Sequence, residues 1–204
     1  MSLILCIETG TDICSVGIAK DGELLSLRES DEGRDHARKV GVFVDELLRE
    51  TGIVPDDLDA VAVGSLDALV EVAREDHEAG ILAVDGWDGA YLCPMVDARR
   101  MEVYAQVFDA GGRPQGEVSA EVVGEGSFAA FRGQGRPFVI FGSGARKCAG
   151  VLSDAVCVEV TPSARGLARL AQQALDEGRT EDIAYFEPFY LKDFVVTTSR
   201  KKLF

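Results

Sequence analysis

A chain of 204 residues, 47% hydrophobic and 27% charged, can bury a substantial core, which excludes a disordered polyelectrolyte. Its 35 acidic against 21 basic residues leave a net charge of −14, which opposes direct binding to nucleic acid or to anionic membranes. No apolar run reaches the ~18–20 residues of a membrane helix, and Met1-Ser2-Leu3-Ile4 carries no basic leader, so a cytoplasmic protein is expected.

Residues 3–8 and 13–19 alternate as strands on either side of the polar turn Thr9-Gly10-Thr11-Asp12, and Asp21-Gly22 turns the chain into a third strand over 23–29. After a polar loop at 30–35, "HARKVGVFVDELLRETG" spaces Ala37, Val40, Val44, Leu47 and Leu48 as one helical face, with Asp35 as N-cap and Gly52 as stop. "LDAVAVG" reads as a short buried strand, and "SLDALVEVARED" as a second amphipathic helix capped by Ser65. A second unit is expected from Gly80 onward, giving domains 1–79 and 80–204. Its β-rich runs are "GILAVDG", "AYLCPMVDA", "MEVYAQVFDAGG" and "PFVIFGSGA". "SARGLARLAQQALDEG" is a helix ended by Gly178, and the aromatic tail "YFEPFYLKDF" is expected to be extended and packed. Strands then helices, twice over, predict two related α/β halves.

The cysteines (Cys6, Cys14, Cys93, Cys148 and Cys157) are odd in number and show no CxxC spacing, and His36 and His77 are far apart. Buried thiols in a reducing compartment are expected, and no metal site. The Thr9–Asp12 turn reads either as a phosphate cradle of N–H groups and hydroxyls or as a plain structural turn. Hairpins of this kind that handle phosphate place an Asp at the end of the first strand for hydrated Mg²⁺. Here Glu8 stands there, one methylene longer, and Mg²⁺ tolerates little change in geometry. On the helix, Lys39, Phe43 and Glu46 share a flank beside the core stripe. Gly41 costs about 1 kcal/mol there, which close approach of another helix would offset. That flank reads as a helix–helix docking face or as ordinary surface. In "VDARRMEVY", Asp97, Arg99, Arg100 and Glu102 are expected to form a structural ion pair. The Gly142-Ser143-Gly144 turn is either tight geometry or a loop approaching a nucleoside.

Taken in order, "LILCIETGTDICSVGI", "DHARKVGVFVDELL", "LDAVAVG", "SLDAL", "VDARRMEVY" and "EPFYLKDF" resemble the bacterial TsaB (YeaZ) family of tRNA threonylcarbamoyladenosine biosynthesis proteins, over nearly the whole chain. The resemblance implies the actin/hexokinase/Hsp70-like α/β fold, with two RNase-H-like lobes of mixed sheets flanked by helices. It also implies an accessory subunit, not an enzyme. Such a subunit dimerises with TsaD, is joined by the ATPase TsaE, and activates formation of N6-threonylcarbamoyladenosine (t6A) in tRNA. ATP and metal would then sit on the partner subunits, with no cofactor here, and tRNA would be met only through the complex. On this view Glu8, Thr9, Gly10 and Thr11 are a vestigial phosphate loop and Lys39, Gly41, Phe43 and Glu46 face the partner. An empty docking face would favour a homodimer of the isolated chain. The family pattern also implies a glycine-rich loop, helix and strand after Val63, about thirty residues that this sequence does not contain. The alternatives are a small-molecule kinase or ATPase of the same superfamily and, last, a glycoprotein peptidase, for which paired histidines and a nucleophile constellation are lacking.

Overall fold

The structure, a computed structural model, describes residues 1–32, 35–182, 185–187 and 191. Strands β1 (Leu3–Glu8), β2 (Cys14–Lys20) and β3 (Glu23–Ser30) form an antiparallel meander in the order β1-β2-β3, close to the predicted limits. Helix α1 (His36–Thr51) follows and covers one face, where Leu47 meets Val16 and Ile18. Residues 58–64 then run beside β1 and pair with it in parallel at one bridge, Ile4 with Asp59. Helix α2 (Ser65–Glu78) leads into the second half.

There β4 (Tyr91–Asp97), β5 (Glu102–Ala105), β6 (Phe108–Asp109), β7 (Ser119–Val122), β8 (Phe138–Phe141) and β9 (Val156–Cys157) build a six-stranded sheet. Its main path is β7-β5-β4-β8-β9, with β6 paired to β4. The first three strands of that path are antiparallel and β4-β8-β9 are parallel. Reading β3-β2-β1 and residues 58–64 against β7-β5-β4-β8 gives one topology used twice, and among the described residues only the second half has a fifth strand. Helices α3 (Ala145–Cys148) and α4 (Arg165–Asp176) are the remaining helices among the described residues.

The helices cross between the halves. Ala168, Ala171 and Leu167 of α4 pack with Ile4, Cys6 and Ala19 of the first sheet. Leu69, Val72 and Ala73 of α2 pack with Leu92, Val139 and Phe141 of the second. The two helices touch each other where Gly166 lies against the Ala68 carbonyl. Held between elements of both halves, α2 is buried at Leu66 and continuously from Ala68 to Ala73, Glu71 included. The amphipathic helix expected from its sequence is therefore a central one.

Other expectations are corrected. "LDAVAVG" makes a single bridge instead of a strand, because no fifth strand flanks it, and Val61 and Val63 are only half-buried. "GILAVDG" is not β-structure: the N–H groups of Ile81 and Leu82 both donate to the Asp76 carbonyl at 2.8 and 2.9 Å, tying the backbone to the end of α2. Asp35 stands at the N-cap position, but its carboxylate pairs with Arg38 instead of a helix N–H. Ser65 is the first helical residue and Gly64 holds the cap position. Ala37 is exposed. In the tail, Tyr185 is 84% exposed and not packed, and most of "YFEPFYLKDF" lies outside the described residues. Among the described residues no helix is long and apolar enough to cross a membrane.

Candidate functional site

β2 is buried along its whole core length, between α1 and α4, so the turn that feeds it is held firmly. Ser15, fully buried, donates to Glu29 at 2.7 Å and accepts the Ala164 N–H at 2.8 Å, tying β2 to the start of α4. In the turn, Glu8 is 5% exposed, and its Oε1 accepts the Gly10 N–H at 2.7 Å. Thr11 Oγ1 accepts the Ile13 N–H at 3.2 Å. His36 Nε2 meets the Asp12 carbonyl at 3.1 Å, fixing the turn to the first residue of α1. The Gly10 N–H that a phosphate would need thus already serves an internal carboxylate, and Thr11 braces the loop by accepting the Ile13 N–H.

On the far side lies the turn after β8. Gly142 has φ +93°, and a Cβ there would come within 2.7 Å of the Met95 carbonyl oxygen, so only glycine fits. Ser143 Oγ accepts the Asp97 N–H at 3.1 Å. This turn and the β1–β2 turn face each other across a cleft of about 760 Å³. Thr11, Asp12, Ser143, Arg146, Glu159 and Thr161 are among its lining residues. Two of its three charged side chains are acidic. The third, Arg146, pairs with Glu159 at 3.5 Å, with both side chains about 90% exposed, an arrangement of little energetic weight. Sequence reading singled out both turns but not Arg146 or Glu159. The "ARK" that follows the glycine turn was the available signal.

The expected Asp–Arg pair of "VDARRMEVY" is corrected. Asp97 turns to Lys147 of α3, 2.6 Å away, and to the Arg99 backbone N–H at 2.7 Å. Lys147 also donates to the Glu102 carbonyl at 2.7 Å. The Lys147 ammonium holds the Asp97 carboxyl below its ordinary value, aided by the Arg99 N–H. A depressed carboxyl stabilises the fold above its unfolded pKa and loses that contribution as pH falls through the folded one. Lys147→Met is therefore expected to lower the urea midpoint at about pH 6, by a difference that narrows as pH falls through the depressed folded pKa of Asp97. Equal midpoints at pH 6 would dismiss the contribution.

The four residues assigned to a partner face are not equivalent. The Lys39 ammonium is drawn inward to Glu32, 2.7 Å away, and to Ser30, leaving its side chain 13% exposed. It holds the Glu32 carboxyl below its ordinary value. Phe43 packs with Leu5, Val40 and Leu48 against the core of the first sheet. Glu46 meets Arg28 of β3 at 3.3 Å. Gly41 alone stands clear, with open space beyond its Cα and the half-exposed Val42 beside it. Among the described residues no group of three His, Cys, Asp or Glu side chains converges as a metal centre.

Solved structures carry the same architecture. One, from Pseudomonas aeruginosa and described as similar to the peptidase YeaZ, superposes with a TM-score of 0.75 at 21% identity, over 94% of this chain and all of the other. YeaZ from Pseudomonas aeruginosa gives 0.72 at 21% identity, with the same coverage. The chain has the YeaZ fold. An activator of 2-hydroxyisocaproyl-CoA dehydratase from Clostridium difficile, solved with ADPNP, matches at a TM-score of 0.50 and 11% identity over 89% of this chain and 99% of the other. No family model matches the sequence, and no curated protein matches it.

Proposed function

We propose that this chain is a non-catalytic member of the TsaB (YeaZ) family, the partner and activator of TsaD in t6A modification of tRNA, with TsaE as a further component. One observation carries the reading: a body of the YeaZ fold keeps the phosphate hairpin, yet its own Glu8 carboxylate occupies the Gly10 N–H. A phosphate brought to that loop would meet a fixed negative charge in place of a donor. The 760 Å³ cleft favours the second reading, a kinase or ATPase. Asp12 and Glu159 on its walls repel an unaccompanied nucleotide and weigh against it.

The outward face of α1, with Gly41 at its middle, is the surface we assign to TsaD. A side chain at Gly41 has open space in the free protein and would obstruct only an approaching helix. Gly41→Arg is expected to leave the melting temperature unchanged or slightly raised, because arginine is the better helix former. In a calorimetric titration with TsaD it should weaken binding about 30-fold, the size of a hot-spot loss. Affinity equal to the parent protein would move the interface elsewhere. Failure of the parent protein to bind TsaD would overturn the reading itself.

A further inference from the structure

The β4–β5 turn does something no other part of the described chain does. Two successive residues with full side chains, Arg99 (φ +75°) and Arg100 (φ +48°), sit in the left-handed region that favours glycine. Hairpin tips of this geometry ordinarily use Gly, Asn or Asp. Both arginines are exposed, and among the described residues neither guanidinium has an ion pair, hydrogen bond or ring partner. Asp97, two residues before Arg99, pairs with Lys147 and takes only the Arg99 backbone N–H.

The tip is also held rigid from behind. Lys147 joins Asp97 to the Glu102 carbonyl, and Ser143 takes the Asp97 N–H. Glu102 N–H closes the turn on the Arg99 carbonyl at 3.0 Å, and Met101, at its base, packs against the core. A strained backbone that keeps two unpaired cations exposed, on a chain of net charge −14, serves something outside the fold. Guanidinium forks at an exposed hairpin tip suit oxyanions spaced along a strand lying across them, and neither arginine lines the cleft between the two turns.

We propose that Arg99 and Arg100 contact two backbone phosphates of the tRNA when TsaD holds it beside this subunit; the proposal rests on the TsaD partnership above. Two contacts are too few for the isolated chain to retain tRNA against its own charge. They add to the affinity only once the complex brings the RNA within reach.

The test uses Arg99→Gly combined with Arg100→Gly, because glycine keeps the turn's backbone and removes both cations. Binding of tRNA to the TsaD complex is measured over a range of salt concentrations, and TsaD affinity is measured separately. Each phosphate contact contributes about 0.7–0.9 to the slope of log K against log salt, so the double variant should lose about 1.4–1.8 from that slope. Its tRNA affinity at low salt should fall about tenfold, with TsaD affinity unchanged. Arg99→Lys with Arg100→Lys should retain most of the slope. An unchanged slope in the glycine pair overturns the proposal. So does a loss of TsaD affinity in that variant, which would make the tip a protein contact. If the parent protein does not bind TsaD at all, the functional reading fails and this inference with it.

Discussion

Replacing Gly166 with valine will lower the melting temperature by about 6–12 °C. A Cβ at this position would penetrate the carbonyl of Ala68 and lie 2.8 Å from the Val72 side chain, so the obstacle includes helix backbone, which cannot rotate aside. Overpacking of a tight contact costs about 1–3 kcal/mol, and an obstacle of backbone puts this case near 3. In a protein of this size each kcal/mol is worth about 2–4 °C. The loss has a specific geometry: α4 lies on the first sheet and α2 on the second, so spreading this crossing loosens the packing that joins the halves. Gly150→Ala, where nothing lies within 4 Å of the added carbon, is the control and should melt within a degree or two of the parent protein. A Gly166→Val protein that melts with its parent would show that the helices do not cross this closely.

Close by, Arg74→Met combined with Arg169→Met is expected to cost about 3–5 kcal/mol, read as a fall in the urea midpoint. The side chain of Glu71 is 3% exposed between the two arginines. Arg74 Nη1 is 2.5 Å from Oε2 and Arg169 Nη1 is 2.8 Å from Oε1. Oε1 has that charge beside it but no hydrogen bond, so the carboxylate depends on its cations more than on dipoles. With both removed, a buried charge has no compensation. Adding Glu71→Leu should recover most of the loss, because the charge is then gone and leucine suits the surrounding core. The reverse deletion is milder: Arg169 is 55% exposed and can turn to water when Glu71 is absent. Arg165, paired with Glu75 and Asp76 across the same helices, keeps α4 in register in all these variants. Full stability of the arginine double variant would mean that Glu71 reaches water by a route the structure does not show.

How much of this was legible in the sequence depended on the range of the interaction. Period-two alternation with Asp21-Gly22 defined the opening meander, and period-3.6 spacing defined α1 down to Leu47, the one residue of that helix fully buried. Those signals are written within about fifteen residues, so they survive without knowledge of neighbours. The order of short motifs was enough to suggest the YeaZ fold that the structure has. The two site turns were also visible, because glycine and hydroxyl residues between strands mark turns wherever they occur.

What each polar group does was decided only by contacts between distant segments. Glu8 reads only as a poor substitute for a magnesium-binding Asp, and what it does instead, accepting the Gly10 N–H, is set by the folded loop. Asp97 reads as the partner of Arg99 beside it, yet it pairs with Lys147, fifty residues on, because α3 carries that lysine over the end of β4. Lys39 and Phe43 read as partner-facing, and only the fold shows that Lys39 reaches Glu32 and that Phe43 packs on the first sheet's core. Glu71 is one charge among several on a helix that looks amphipathic, and its burial follows from α4 crossing α2 at Gly166. Local propensity acts along the chain and fixes where elements begin and how they repeat. Burial and charge pairing act across space, so they were set only when residues 1–30 and 165–176 came to share one sheet face.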